Sequence, residues 1–466
     1  MAVDFKDIQQ GYGTASGPVM QELLQQDALP LEPALCEKGN FFPEFKKIPF
    51  KRYFDPEFAR LEMEHMWKTC WQVVGREEDI PEIGDRKLYE VGELSYIIIR
   101  SGSDEFRALQ NACMHRGTRL CNGNSSGKSI KCPFHAWEWN VDGSLKNVPS
   151  RWDFPGVTDE AYRLPEAKIG RWGGFLFINP APDAGPLEDA LGVLPKHFSP
   201  REAEQRYTVV GIRKKMRANW KQAQEAFFEA YHVIETHANI LSYNGDTQTR
   251  YDIWDDGKSQ ISRSITPSAI PSGHLGDDAS RLQAAQDALK TFALPFPGVE
   301  LPEIKSAETG RSEVAAWRRE MMGKLLGVDF SKCSDSYMLD ANQYFMFPNF
   351  WPWFGEGLPL TYQFIPYGSN PNECIMEARL TLPVPENGPR PPAAELIELD
   401  FDTPCSSAPA LGIMASVFDQ DFSNLPLVQI GLRSCRDDNI SVTLGRYQEC
   451  RIQAFHDMLD RKLGLK

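Results

Sequence analysis

No stretch of about 18 apolar residues occurs anywhere in the 466 residues, so no segment is expected to span a bilayer. Nor is there a long basic run. The net charge is −14, from 50 basic and 64 acidic residues, and nucleic acid is not an expected partner. Ten cysteines are too few for a disulfide scaffold in a chain of this length. The opening MAVDFKDIQQ carries acidic residues and no apolar core, so it does not read as a secretory leader. The expectation is a soluble, cytoplasmic protein, in which clustered cysteines are better read as metal ligands. Repeats and low-complexity tracts are also lacking.

What is present suffices for two or three domains with cores of their own. Residues 1–45 mix a loop, GYGTASGP, with a short amphipathic stretch, VMQELLQQ. Residues 54–70 have a helical period that opens at Asp55-Pro56. From Trp71 the texture changes to short strands, WQVVG, KLYEV, SYIIIR and FRALQNAC, separated by turns such as EIGD and SGSD. A further strand, GGFLFIN, ends at Asn179-Pro180. This pattern predicts a small β domain over 70–182, after an N-terminal helical segment, 1–69, that packs on the third part, 183–466. In that part the spacing predicts a helix over 218–238, two helices around a Pro-rich loop over 276–328, then the strands NQYFMFPN, PLTYQFIPY and ECIMEARLTLPV. The segment 442–465 closes with an amphipathic helix. The expected class is α+β, with an antiparallel sheet.

The β domain contains Cys113-Met-His115 and, 16 residues on, Cys132-Pro-Phe-His135. Two thiolates and two imidazoles can hold zinc or an iron–sulfur cluster. Structural zinc usually pairs Cys with Cys and His with His, whereas here each loop supplies one of each. That mixed pairing suits a two-iron cluster with thiolates on one iron and imidazoles on the other. NACMHRGTRLC and KCPFHAWEWNVDGSL resemble the Rieske [2Fe–2S] loops of ring-hydroxylating oxygenases. The resemblance assigns Cys113 and Cys132 to one iron, and His115 and His135 to the other. Phe134 stands where that family usually has Tyr, which removes a tuning hydroxyl. Ala136 stands where a Gly often follows the second His. Respiratory Rieske proteins carry an extra disulfide-bonded cysteine in each loop; the matching positions are Thr118 and Phe134, so that reading fails. Cys121 reads as a plain buried thiol.

The second constellation lies in NWKQAQEAFFEAYHVIETH, residues 219–237. On an unbroken helix Glu225, Glu229 and His232 fall at i, i+4 and i+7, on one face. His232 and His237 are five apart, about 140° around an ideal helix, so both reach one metal only if the helix unwinds or bulges between them. The alternative is a plain helix with two ordinary histidines. The chain has only eight histidines, and four would serve the two ligand sets. This segment also resembles the mononuclear-iron segment of the same oxygenases, which carries the two iron histidines over to His232 and His237. A facial triad needs one carboxylate more. The segment VFDQDFSNLPLVQIGLRS resembles the region that supplies it, with Asp421 the choice and Asp419 the alternative; Asn424 and Gln429 then fall where the family often has them. Glu229 stands where the family usually has Asp, as a hydrogen-bonded bridge between the two metal centres. The same replacement occurs in relatives that oxidise quaternary ammonium compounds.

The resemblance thus implies a Rieske oxygenase alpha subunit. A small all-β Rieske [2Fe–2S] domain would be inserted into a larger helix-grip-like domain, where a curved antiparallel sheet covers helices. It further implies a mononuclear Fe(II), a small hydrophobic, aromatic substrate, and O2. Head-to-tail homotrimers, with or without a beta subunit, would pass electrons along His135–Glu229–His232. No Gly-rich dinucleotide fingerprint and no plant-type ferredoxin spacing occur, so a separate reductase, with or without a ferredoxin, must supply those electrons. Phe227, Phe228, Tyr231, Phe345 and Phe347 are the candidate pocket residues, and 276–328 the candidate helical cover.

Overall fold

The computed structural model describes residues 18–198, 203–276, 279–435, 437 and 439–465. Most of the expected loop GYGTASGP lies outside them. Within 56–67 a helix, Pro56–Glu62, runs into a π turn, Met63–Trp67. The Asp55 carboxylate caps its start by accepting from Glu57 N at 2.9 Å.

Six antiparallel strands follow, side by side in the order Gln72–Arg76, Phe175–Asn179, Glu166–Trp172, Glu105–Gln110, Leu94–Gly102 and Arg86–Val91. The run Ile97-Ile98-Ile99 shows why the strand pattern was readable. Alternate residues face opposite sides of a sheet, so Ile97 and Ile99 pack with Cys113, Cys132 and Trp137 while Ile98 enters the main core. A three-stranded sheet, Ser129–Lys131, Glu138–Asn140 and Leu145–Asn147, holds the loop from Cys132 to Trp137 between its first two strands.

The remainder is built on eight strands in the order Arg250–Asp255, Gln260–Thr266, Ala341–Met346, Phe350–Pro352, Leu360–Pro366, Cys374–Pro383, Arg206–Met216 and Leu396–Leu399. All neighbours are antiparallel except the last pair. The helices Trp220–Glu225 and Cys450–Leu463 pack on this sheet. Phe228, Phe345, Trp351 and Phe455 form the aromatic centre of that layer, each fully buried.

The two sheets are tied by charge. Arg379, from the larger sheet, forms two bonds to the Asp79 carboxylate, at 2.6 and 2.7 Å, and two to Glu377, at 2.9 and 2.7 Å. Lys87, from the smaller sheet, reaches Asp79 at 2.9 Å. Burial opposes the Asp79 charge, yet these two cations hold its carboxyl well below the usual range. Removing one partner of such a buried set costs about 3–5 kcal/mol, since it strands the others.

Three expectations need correction. The helix over 218–238 is not continuous: it stops at Glu225 and resumes only as the single turn Val233–Thr236. Phe227 N and Phe228 N turn to carbonyls three residues back, and Ala230 N is taken by the Tyr251 hydroxyl at 3.2 Å. Glu225 therefore does not share a face with Glu229 and His232. It lies in a separate buried group with Tyr53 and His456. The closing helix, Cys450–Leu463, lies within the expected segment, but its polar residues Arg451, Gln453 and His456 do not face solvent: they are buried and bonded inside the protein. Finally, Arg206–Met216, Arg250–Asp255 and Gln260–Thr266 are strands the apolar pattern did not announce. Arg263 in the last is fully buried and paired with Asp252 at 2.6 Å.

Candidate metal centres

Each cysteine loop is closed by its own backbone. Cys113 N donates to Thr118 O at 2.8 Å and Gly117 N to Cys113 O at 2.8 Å. In the second loop Cys132 N donates to Trp137 O at 2.8 Å and Ala136 N to Cys132 O at 3.1 Å. The second turn requires φ +60° at Ala136, a left-handed conformation that favours glycine. The two loops meet with the His115 and His135 rings 4.8 Å apart, and His115 stacks on Trp137 at 5.0 Å and 4°. Burial, reinforced by Cys132 alongside, raises the Cys113 thiol. Burial also opposes ionisation of Cys132. There the N–H groups of Phe134 and His135 and the Thr118 hydroxyl aim at the sulfur and bring the thiol below its ordinary value. Phe134 caps the outside of the site, 58% exposed, with its ring 3.8 Å from that of His135. Cys121 is half-buried, with the Ser125 and Arg86 side chains beside its thiol.

The second centre gathers residues from two distant segments. The long helix Ile413–Ser434 brings Asp421 against the single turn Val233–Thr236. His232 precedes that turn and His237 leaves it at φ −120°, so the two rings converge, 5.1 Å apart, without a bulge between them. Asp421 Oδ1 lies 3.0 Å from His237 Nε2 and 3.7 Å from His232 Nε2. All three donor atoms fall within 4.8 Å of one another. Asp419 is engaged elsewhere: its carboxylate accepts from Cys405 N at 2.6 Å and Ser406 N at 3.0 Å. Gln429 is bonded to Asn219 N, Tyr53 O and Asn372, and Asn424 donates to the Thr236 hydroxyl at 3.2 Å.

Both imidazoles are oriented through the nitrogen away from Asp421. Glu229 Oε1 meets His232 Nδ1 at 2.7 Å, while Oε2 accepts from His232 N at 2.9 Å. Gln420 Oε1 meets His237 Nδ1 at 2.8 Å. Burial works against a charged His232, but Glu229 and Asp421 outweigh it and push the ring up to about 9, a preference for positive charge at this point. Gln420 was not anticipated; its only sequence signal is that it adjoins Asp421.

The triad opens on a cavity of about 210 Å³. Phe227, Trp353, Tyr362 and Phe418 supply its aromatic walls, and Ser264, Thr266 and Gln343 a polar floor. Of the expected pocket residues only Phe227 lines it. Phe228, Phe345 and Phe347 belong to the core, and Tyr231 is 50% exposed on the outside. In the stretch 276–328, Thr291 and Phe292 reach the cavity from the end of the helix Arg281–Phe292. The helix Gly310–Leu326 packs elsewhere on the core.

Both donor sets suit the groups expected of them. His115 Nδ1 is buried with no hydrogen-bond partner, as a nitrogen reserved for a metal would be, and it shares its site with two thiols. Two imidazoles and one carboxylate, open on one side, form the set that suits non-haem iron(II).

Residues 70–157 match the Rieske [2Fe-2S] domain, and residues 200–465 the catalytic domain of the ring hydroxylating alpha subunit. The second match spans more than half the chain, and the protein belongs to that family. Its two domains are those that carry a Rieske [2Fe–2S] cluster and a mononuclear iron. The glycine betaine monooxygenase oxygenase subunit of Chromohalobacter salexigens is 26% identical over 311 residues, 64% of this chain and 65% of that protein. The large oxygenase component of salicylate 5-hydroxylase from a Ralstonia species is 30% identical over 204 residues, 40% of this chain and 48% of that protein. The chain thus spans about half to two-thirds of the length of these relatives. A quaternary ammonium Rieske monooxygenase solved with L-carnitine shares the fold, with TM-score 0.59 and 16% identity over 89% of this chain and 95% of that one. Among the described residues no helix is long and apolar enough to cross a membrane.

Proposed function

We propose that this protein is the terminal oxygenase of a multi-protein system. It uses O2 and electrons from a separate NAD(P)H reductase, with or without a ferredoxin, to hydroxylate or dihydroxylate a small, largely apolar ring compound. The observation that carries this reading is the convergence of His232, His237 and Asp421 on a largely apolar cavity. An electron carrier would need no such site, although the same chain has the two-cysteine, two-histidine loops of one.

Cys113 and Cys132 would hold one iron of the cluster and His115 and His135 the other; His232, His237 and Asp421 would hold the mononuclear iron. When bound, these groups supply one-electron transfer and activation of O2. The protein's own residues supply the rest. Glu229 keeps the His232 proton on Nδ1 and Gln420 keeps that of His237 on Nδ1, so each ring offers Nε2 to the metal. The aromatic walls exclude water and hold a flat substrate beside the triad. An apolar cavity of about 150 Å³ accepts benzene, so about 210 Å³ suits one ring with a substituent.

Head-to-tail assembly as a homotrimer is supported by apolar side chains left in solvent at both ends of the route. Phe134 and Trp152 stand beside the cysteine loops, and Tyr231, Ile234, Leu427 and Ile430 lie on the segments that carry the triad. In such an assembly Glu229 would link His232 to His135 of the next subunit. A second reading, monooxygenation as an O- or N-demethylase or aliphatic hydroxylase, is favoured by Glu229 in place of the usual Asp. The test begins with metal analysis: three irons and two acid-labile sulfides per chain are expected, and stoichiometric zinc without sulfide overturns the proposal. Reductase-coupled turnover under 18O2 then separates dihydroxylation, which leaves two labelled oxygens in the product, from monooxygenation, which leaves one in the product or, for a demethylation, in the released aldehyde.

A further inference from the structure

We propose that the floor of the cavity is a subsite for a carboxylate on the substrate, built from Ser264, Gln343 and Trp353 with the Arg451 guanidinium behind them. The proposal rests on reading the cavity as the substrate pocket.

Arg451 is fully buried on the helix Cys450–Leu463. Its Nε donates to Ser262 Oγ at 3.0 Å. Its Nη1 donates to Ser264 Oγ at 2.9 Å, Gln343 Oε1 at 3.0 Å and Phe228 O at 3.2 Å. Nη2 is buried without a partner. Among the described residues no carboxylate bonds this guanidinium. Besides the Tyr251 hydroxyl and the Cys450 thiol, the one carboxylate that acts on it is Asp252, which is already held by Arg250 at 2.9 Å and Arg263 at 2.6 Å. Three buried guanidiniums thus share one carboxylate, an imbalance that a buried site tolerates poorly unless an anion completes it.

The charge is delivered to the cavity by orientation. Arginine can only donate, so Ser264 Oγ and Gln343 Oε1 must both accept from it. That turns the Ser264 O–H and the Gln343 amide N–H groups away from Arg451, and among the described residues neither has a protein acceptor. The Trp353 indole N–H is likewise buried with no acceptor. Strand register sets the three in one row: Ser264 lies opposite Gln343, and Gln343 opposite Trp353. Directly opposed residues share a face of the sheet, and all three line the cavity. The acids of the lining, Glu229 and Asp421, belong to the metal wall and not to the sheet. Asn244 Oδ1, an acceptor with no partner, lies off the row. A row of three donors backed by a cation matches the two oxygens of a carboxylate, which only accept. A primary amide of the same shape offers one acceptor and two hydrogens that find no acceptor in the row. No Lys or Arg lines the cavity among the described residues, so side-chain lining alone hides this preference.

Calorimetry on the metal-loaded protein tests it with two matched pairs, benzoate against benzamide and phenylacetate against phenylacetamide. In at least one pair the acid should bind roughly tenfold or more tightly than the amide. Gln343→Glu keeps an oxygen for Arg451 but turns the group facing the cavity into an anion. It should cost the acid roughly tenfold or more while leaving the amide within about threefold, with an unchanged melting temperature. Trp353→Phe removes one donor without a charge and should weaken the acid selectively. Acids that bind no tighter than their amides in both pairs, or a Gln343→Glu protein that keeps wild-type affinity for the acid, would overturn the proposal. Iron and labile sulfide are measured on the same samples. Correct metals with no acid preference refute the subsite alone; an acid preference without the metals refutes the oxygenase reading and leaves the subsite standing.

Discussion

Glu229 offers the sharpest test of the metal site, because both of its oxygens serve one residue. Oε1 meets His232 Nδ1 at 2.7 Å and Oε2 accepts from His232 N at 2.9 Å, with the carboxylate side chain only 8% exposed. Glu229→Gln preserves shape but has one acceptor oxygen for two donors. Whichever donor keeps it, the other faces an NH2 group. The loss is one charge-assisted hydrogen bond in a nearly buried site, about 1.5–3 kcal/mol. Part of that should appear as weaker iron binding, since removing such an outer partner of a metal-bound histidine typically costs about 10- to 100-fold in affinity or activity. With saturating iron the variant should retain cluster colour and three irons per chain, yet turn over at least about tenfold more slowly. Dialysis against a ferrous chelator reads the affinity, and single-turnover reoxidation of a chemically reduced cluster, with substrate and O2 present, reads the electron route. Glu229→Asp keeps the charge at shorter reach, cannot serve both donors, and should fall between the two. If Glu229→Gln releases iron no faster than wild type and reoxidises at the same rate, Glu229 neither orients His232 nor lies on the route.

Cys132→Ala should abolish the visible cluster spectrum and lower iron from three to one per chain, whereas His237→Ala should spare the colour and lose only the mononuclear iron. Ala136→Gly should stabilise the protein by up to about 1 kcal/mol in denaturant titration, because the φ of +60° at that turn no longer works against a Cβ. Burial pushes Glu225 up to about 8 from 4.5, against the hydrogen bond from Tyr53 and the charges of Lys221 and Arg52. The folded state holds that proton more tightly than the unfolded chain, so the stability it contributes is complete below pH 4.5 and is lost as pH rises through about 8. Between those limits the slope is at most about 1.4 kcal/mol per pH unit, and Glu225→Gln should flatten it in unfolding titrations at pH 5 and pH 8. Phe292→Ala, at the cavity end of the helix Arg281–Phe292, should shift binding from single-ring toward two-ring compounds with both metals kept; an unchanged preference would show that this helix does not shape the pocket.

How far the site could be read from the sequence follows from where its hydrogen bonds go. The cysteine–histidine loops were legible because each is closed by backbone bonds within five residues, so ligand spacing and turn geometry are written together. His232 and His237 were legible as a pair only through the family resemblance of their segment, since helical spacing sets them about 140° apart, and the path between Glu225 and His232 was not legible. Helical periodicity assumes that backbone bonds to backbone, and it cannot see a Glu229 carboxylate taking His232 N or a Tyr251 hydroxyl taking Ala230 N. The choice between Asp421 and Asp419 needed the fold, since what distinguishes them is that Asp419 is occupied by the backbone of Cys405 and Ser406. Gln420, 183 residues from His237, lay beyond any local pattern. The aromatic residues failed as pocket markers because a core and a pocket draw on the same side chains; Phe227 and Phe228 are neighbours, yet one lines the cavity and the other is sealed against Phe345 and Trp351. The polar strand Gln260–Thr266 was passed over because its hydroxyls and Arg263 look solvated in sequence. In the fold they are buried because Asp252 and Arg451, the latter 187 residues from Ser264, reach them. Buried polar groups must find partners, and when those partners are distant in sequence the group reads as surface. The residues most informative about substrate chemistry, Ser264 and Gln343, are of that kind: their partner Arg451 fixes which of their atoms remain free to meet a ligand.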